Sequence, residues 1–375
     1  MEKVLIFDTV LSGHHLEYLH HIYEGASRDK NRQYVFVLPD SFNTVKEKYA
    51  WTDTGNCIFD FINKKDVDRC NDRRRLISSY YLSITLRSYS LKHGAKRVFL
   101  NMLSPFLPFL LFLIPSSIKV SGIIYKVFLY EESLSRVKRF INFVLYGLLV
   151  KSRVVNNIFI LNDKSSVSYF NRLFSTNKYK YLLDPICVEG KAQYIRELLN
   201  IDKSQKIFLQ FGGITRRKGS LLILDSIRFL NEQERTCYVF VFAGKIYDDI
   251  RADFYSAYQQ LREISNIRIF DEFCSYAFIR DLCYSSDAIL VPYSNTTQSS
   301  GLIGYASYFK KPVIGPHRGL LGKIIRKNHL GLTLENLNGS SLALNYQRAL
   351  LYTSSDFYAK SNTIKRFVEI IINNI

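Results

Sequence analysis

The sequence predicts an α/β protein made of two doubly wound domains, on three observations. Short apolar runs alternate with helical patterns, the alternation restarts after a polar break near mid-chain, and 375 residues suffice for two to three domains. Taken in order, KVLIFDTV (3–10) and YVFVLP (34–39) read as strands flanking LEYLHHIYEGA, whose apolar spacing fits a helix, so the chain opens β-α-β. KRVFLNML (96–103), SIKVSGIIY (117–125) and NIFILND (157–163) read as further strands, with helical patterns over 76–92, 134–151 and 165–174. YLLDPI (181–186) closes the first half at a proline, and the polar segment 189–206 reads as the linker.

The pattern then begins again. KIFLQFGGI (206–214), CYVFVFAGK (237–245), IRIFDEF (267–273), DAILVPY (287–293) and PVIG (312–315) read as five strands of a second parallel sheet. Helices are expected at 220–230, 251–264, 276–284, 300–310 and 319–328. The expected domains are 1–187 and 188–354, with a C-terminal helix in 355–375 packing back on the first. Ligands of such sheets sit at the carboxyl ends of the strands.

Composition narrows the function. Apolar residues make up 47% and charged residues 22%, a balance that disfavours disorder, collagen and coiled coil. The six cysteines contain no C-x-x-C pair, so neither zinc nor a disulfide framework is signalled. The apolar run Val4 to Phe7 is too short for a secretory signal, and Phe106 to Pro115 is too short to span a bilayer. The expected location is therefore cytoplasmic.

The formal charge is +18, and it is unevenly spread. Between Leu86 and Arg153, eleven basic residues face only Glu131 and Glu132, and RVKRFINFVLYGLLVKSR mixes them with aromatic and aliphatic side chains. Cations beside exposed apolar groups suit an anionic membrane surface, while a buried core helix with solvated basic ends gives the same pattern. No helix-turn-helix, RNP-like or zinc-finger pattern accompanies the basicity, so no nucleic-acid partner is expected.

Two segments carry chemistry. Phe211-Gly212-Gly213-Ile214-Thr215-Arg216-Arg217-Lys218-Gly219 follows a strand and opens a helix. Glycines let backbone N–H groups approach a phosphate, and Lys218 with Arg216 or Arg217 would neutralise its charge; solvated bases in an ordinary β-α turn are the plainer reading. Pro292 to Gly301 runs again from a strand end into a helix, and Ser299, Ser300 and Gly301 make a second anion cradle or a simple N-cap. Both turns belong to one sheet edge, so they would converge on one diphosphate. His14, His15, His20 and His21 invite a metal reading, but only Glu17 and Glu24 lie near to complete a ligand set, so no metal is expected. His93, before Gly94, reads as a solvated helix-end residue.

These segments, with VFVFAGK, SSGLIGYASYFKKPVIG and GLLGKIIRKNHLGLTLE, resemble in order and spacing the carboxy-terminal half of family 4 glycosyltransferases. LIFDTVLSGHHLEYLHHI resembles that family's first strand and loop. The resemblance implies the GT-B fold, two Rossmann-like domains facing across a cleft, with no bound metal and no cofactor beyond a nucleotide-diphosphate sugar as co-substrate. It implies that Lys218 matches the family lysine on the donor phosphates, while Gly213 stands where an arginine is usual. The two glutamates of the family pattern fall at Thr297 and Tyr305, so both carboxylates are absent, and Gln298 is the nearest substitute.

The expected roles are therefore Lys218, Arg217 and His14 in catalysis; Gly212, Gly213, Arg216, Lys218, Ser299, Ser300 and Gly301 on the donor diphosphate; Thr297, Gln298 and Tyr305 on the nucleotide or sugar; and Gly13 with His14 in the acceptor-side loop. The expected activity is sugar transfer, with retention, to a lipid-linked oligosaccharide or growing polysaccharide at the cytoplasmic face of a membrane, in making surface polysaccharide such as lipopolysaccharide or capsule. The alternatives are a non-catalytic carbohydrate- or partner-binding module on the same scaffold and a nucleotide-sugar 2-epimerase, the latter disfavoured by the scarcity of acids near the second-domain loops.

Overall fold

A computed structural model describes residues 1–46, 51–131 and 134–375. The chain divides into two compact units, Met1–Asp184 with Ile364–Ile375, and Pro185–Thr363. Among the described residues, the first unit holds a parallel sheet of seven strands: β1 (Glu2–Phe7), β2 (Arg32–Pro39), β3 (Cys57–Ile62), β4 (Arg97–Leu100), β5 (Lys119–Ile124), β6 (Val155–Leu161) and β7 (Tyr179–Leu182). Their order is β3-β2-β1-β4-β5-β6-β7. Chain direction across the sheet therefore reverses between β1 and β4, which pair from Val4↔Arg97 to Phe7↔Leu100. Helices cover both faces, which is why Val4, Leu5, Ile6, Val98 and Phe99 form unbroken apolar runs without exposure.

The second unit repeats the plan with β8 (Lys206–Phe211), β9 (Tyr238–Ala243), β10 (Asn266–Phe270), β11 (Ala288–Leu290), β12 (Val313–Pro316) and β13 (Gly331–Leu334). Its order is β10-β9-β8-β11-β12-β13, all parallel, so the reversal falls between β8 and β11. In each unit the crevice beyond the carboxyl ends at that reversal is the place such sheets leave for a ligand.

Three strands escape the sequence reading. β3 carries Asp60 inside CIFDFI, β7 has only four residues, and β13 opens on Gly331. Each is an edge strand or next to one, where half-burial weakens the apolar signal. Segment 189–206 differs from the expected linker, because it is folded into the second unit. Arg196 is 4% exposed there, donates to the Ser285 and Gln205 carbonyls and pairs with Asp287.

The C-terminal helix Ile364–Ile372 belongs to the first unit, whereas 355–363 belongs to the second. It lies on the helix His14–Arg28, with Val368 so close to Gly25 that a Cβ there would meet its Cγ1 at 2.1 Å. Phe367 is fully buried 4.9 Å from the Tyr18 ring, and Arg32 and Arg97 donate to the carbonyls of Ile372 and Ile375. Phe367→Ala is expected to destabilise the first unit by about 3 to 5 kcal/mol, the cost of deleting a buried aromatic ring. Urea unfolding followed by tryptophan fluorescence measures it at Trp51, the single tryptophan, in the same unit; an unchanged midpoint would mean that the terminal helix does not hold this core.

Candidate functional site

The loop after β8 is shaped by glycine where side chains are forbidden. Gly219 sits at φ 71°, and a Cβ there would stand 2.0 Å from the Pro292 carbonyl oxygen. The turn after β8 and the turn after β11 are therefore pressed together at the β8/β11 reversal. Ser294 donates to the Arg217 carbonyl through its N–H at 3.0 Å and its hydroxyl at 3.2 Å, which locks the second turn to the first. From below, fully buried Gln210 donates to the Lys218 carbonyl at 2.8 Å and accepts from Ser220 at 2.5 Å.

These bonds fix where the charges go. The Arg217 guanidinium and the Lys218 ammonium lie 5.4 and 5.9 Å from the ring centre of Tyr293. Tyr293 is buried, and its hydroxyl is 3.1 Å from Ser300 Oγ. Ser300 caps the helix Gly301–Tyr308, accepting from the Leu302 N–H. The two basic side chains and the positive end of that helix are thus tied together through one tyrosine.

Lys218 has no carboxylate within ion-pairing distance among the described residues; its Nζ donates to the Phe211 carbonyl at 3.3 Å. Burial, with the charge of Arg217 beside it, lowers its ammonium to about 8. A partly buried cation left in this state favours an arriving anion, which supplies the missing counter-charge.

The other expected donor residues fall into three groups. Gly212, at φ 78°, lies against Lys218 Nζ, and Gly213 lies beneath the Tyr247 ring, so both belong to the same turn. Tyr305 packs its ring edge-on at 5.6 Å from Phe211, beside the end of β8. Thr297 is buried with its hydroxyl given to Asn295, which shapes the loop, while Gln298 is exposed and Ser299 half-buried. Arg216 departs from expectation: its guanidinium pairs with Asp253 and the Asp249 carbonyl, and its N–H with Asp249, so it is held away from Lys218. Of the two arginines offered as substitutes, Arg217 alone joins the lysine.

In the first unit, Gly13 at φ 59° precedes the helix His14–Arg28 without a side-chain cap. His14 is 58% exposed, with Nδ1 3.4 Å from Glu17. His20 Nδ1 accepts from the Trp51 indole at 2.6 Å in an aromatic cluster. Among the described residues no three metal-binding side chains converge.

Tyr293, Gln210 and Tyr247 were not read as site residues. A Tyr in a loop and a Gln in an apolar strand carry no spacing signal; their places appear only when β8 is set beside β11, for Tyr293 and Gln210, and beside β9, for Tyr247.

No family model matches this chain, and no curated protein matches it by sequence. Solved structures do match over nearly the whole chain. Alr3699/HepE of Anabaena, in complex with UDP-glucose, aligns with TM-score 0.69 at 12% identity, covering 100% of this chain and 99% of that one. A UDP-forming trehalose-phosphate synthase from Burkholderia xenovorans gives 0.71 at 12% identity, covering 100% and 98%. WaaG, a glycosyltransferase involved in lipopolysaccharide biosynthesis, gives 0.62 at 12% identity, covering 98% and 94%. The fold is GT-B. Two Rossmann-like units in tandem, each with its order reversing beside its first strand, are what the GT-B likeness rests on.

The low value at Lys218 gives a signed prediction. A bound anion favours the protonated amine, so affinity should be level below the free value of about 8 and fall about tenfold per pH unit above it. Calorimetric titration with sulfate, whose own charge is constant here, should follow that curve, and Lys218→Gln should flatten and weaken it. Wild-type affinity that stays level to about pH 9.5 would contradict the assignment.

Proposed function

We propose that this protein transfers a sugar from a nucleotide-diphosphate donor, with the second unit holding the diphosphate. The observation that carries the reading is Lys218, a partly buried cation without a carboxylate partner among the described residues, joined through Tyr293 to Arg217 and to the amino end of the helix Gly301–Tyr308. Glycosyl transfer leaves negative charge on the departing diphosphate, and preorganised cations and N–H groups stabilise that charge without a metal. Lys218, Arg217, Gly212, Gly213, Ser299, Ser300 and Gly301 would hold the diphosphate, and Thr297, Gln298 and Tyr305 the nucleotide or sugar. Structures of the same fold solved with UDP and UDP-glucose support a donor of this class.

The finer reading follows the family resemblance: retention of anomeric configuration, and a lipid-linked oligosaccharide or growing polysaccharide as acceptor, held by the first unit near Gly13 and His14. A surface of the first unit supports a membrane location. The helix Arg136–Lys151 exposes Val137, Phe140 and Ile141 by 68, 67 and 51%, with Val144 and Leu148 along the same stripe. Arg136 and Lys138, both exposed, flank it, and Lys151 lies at its end. Apolar side chains with a cationic rim fit an anionic bilayer surface, each base contributing about 1 kcal/mol near the headgroups. Binding would be peripheral and at the cytoplasmic face, as the family resemblance implies; among the described residues no helix is long and apolar enough to cross a membrane.

A second reading, a non-catalytic binding module, is favoured by Thr297 and Tyr305, which bring no carboxylate to the ribose. Thermal shifts against a set of nucleotide-diphosphate sugars separate the two. The transferase reading expects a rise in Tm with at least one donor that Lys218→Ala abolishes; no rise with any donor favours the module. Vesicle sedimentation checks the membrane face: binding should need anionic lipid, weaken with salt, and drop at least tenfold in the double variant Phe140→Ser/Ile141→Ser. Equal binding to neutral vesicles would remove the cationic rim from the account.

A further inference from the structure

The loop after β9, residues 244–250, lies against the loop after β8 within the second unit. The contact is backbone on backbone. Gly244 sits at φ 144°, and a Cβ there would stand 2.3 Å from the Gly212 carbonyl oxygen. The Gly212 N–H donates to the Ala243 carbonyl at 2.9 Å, and the Ile214 N–H to the Lys245 carbonyl at 2.8 Å. The Tyr247 N–H donates back to the Ile214 carbonyl at 3.0 Å. On its other side the loop is clamped by Asp271, which accepts from the Ile246 N–H at 2.7 Å, from Arg251 at 2.7 Å and from the Tyr255 hydroxyl at 3.0 Å. Ile246 and Ile250 anchor it in the core. The backbone that carries Tyr247 is therefore fixed relative to the Gly212-Gly213 turn.

This loop acts twice on the charge of that turn. Its Asp249 accepts from the Arg216 N–H at 3.1 Å, and the Asp249 carbonyl from the Arg216 guanidinium at 3.0 Å, which draws that base aside. It also sets a phenol over the turn. A Cβ at Gly213 would stand 2.8 Å from Tyr247 Cε2 and 3.7 Å from Cζ, the carbon that bears the hydroxyl. Gly213 has no left-handed φ, so its backbone would accept any residue, and what the glycine provides is room for the ring. At the residue before it, a Cβ on Gly212 would stand 2.8 Å from Lys218 Nζ. Consecutive residues of one turn thus carry the ammonium and the phenol.

Tyr247 is 50% exposed, and among the described residues no group bonds its hydroxyl. A half-exposed ring held by its backbone keeps an O–H beside the place where Lys218 meets its anion. Phosphate oxygens at neutral pH are acceptors, so the phenol must be the donor.

We propose that the Tyr247 hydroxyl donates a hydrogen bond to the diphosphate bound beside Lys218. This rests on the diphosphate reading of the second unit, and every group it uses belongs to that unit. With Arg216 withdrawn, the chain supplies a neutral donor next to its two cations. The choice has a physical consequence. The charge of Arg217 already lowers the Lys218 ammonium, and a further cation would lower it more, whereas a phenol binds phosphate without that repulsion.

The test is calorimetric titration of the full-length protein with inorganic diphosphate at neutral pH, where Lys218 is protonated. Tyr247→Phe keeps the ring over Gly213 and removes only the O–H. Affinity should fall about tenfold, the lower end for a hydrogen bond to a charged group, with Tm within about 2 °C of wild type. The salt dependence of binding should stay as it is, since no charge has been removed. A loss below about threefold overturns the proposal, as does a loss accompanied by a lower Tm or a changed salt dependence. A second variant moves the ring and leaves the hydroxyl intact: Gly213→Ala should weaken binding in the wild type and add little in the Tyr247→Phe background. Equal costs in both backgrounds overturn the proposal. Binding that Lys218→Gln abolishes and Tyr247→Phe leaves unchanged overturns it alone, while a wild-type protein that binds no diphosphate overturns the diphosphate reading with it.

Discussion

A partly buried ammonium with no carboxylate partner among the described residues is the constraint on which the second unit depends. Taking a cation out of water is costly unless a carboxylate or an anion meets it. Here the chain keeps Lys218 in place by backbone means: Gln210 grips its carbonyl, Gly219 supplies the left-handed turn, and Ser294 ties the next loop against Arg217. None of these contacts neutralises charge. The same chain sets acidic partners around Arg216, whose guanidinium rests on Asp253 two residues from Lys218. The contrast between neighbouring bases, one paired with a carboxylate and one bonded only to a carbonyl, is what the proposed diphosphate site rests on.

The first unit applies the same plan with the opposite sign. Its reversal between β1 and β4 holds a buried carboxylate, Asp8, whose donors are all protein groups. There the charge is met by the Val10 N–H, the Asn101 amide and the His15 ring.

Much of this was legible in the sequence because the sheets are parallel and covered on both faces. Runs such as VLIF and YVFVF must be apolar throughout, and the turns between them are punctuated by glycine. The positions of the two candidate loops were legible for the same reason, since Gly212, Lys218 and Ser300 stand at strand-to-helix junctions. What could not be read was side-chain direction. Arg216 and Arg217 are adjacent and chemically alike, yet Asp249 and Asp253, more than thirty residues on, decide which one leaves the site. His14 and His15 differ likewise only in which of them meets Asp8. Edge strands β3 and β13 stayed hidden because each is short and half-buried, with Asp60 breaking the apolar run of β3 and Gly331 opening β13.

The most direct measurement of the central claim is the titration of the Lys218 amine itself, by NMR of carbon-13 lysine assigned with Lys218→Arg. The account predicts a free value near 8, raised when UDP saturates the protein. A lysine that titrates at its ordinary value in the free protein, or one that UDP leaves unmoved, would contradict it.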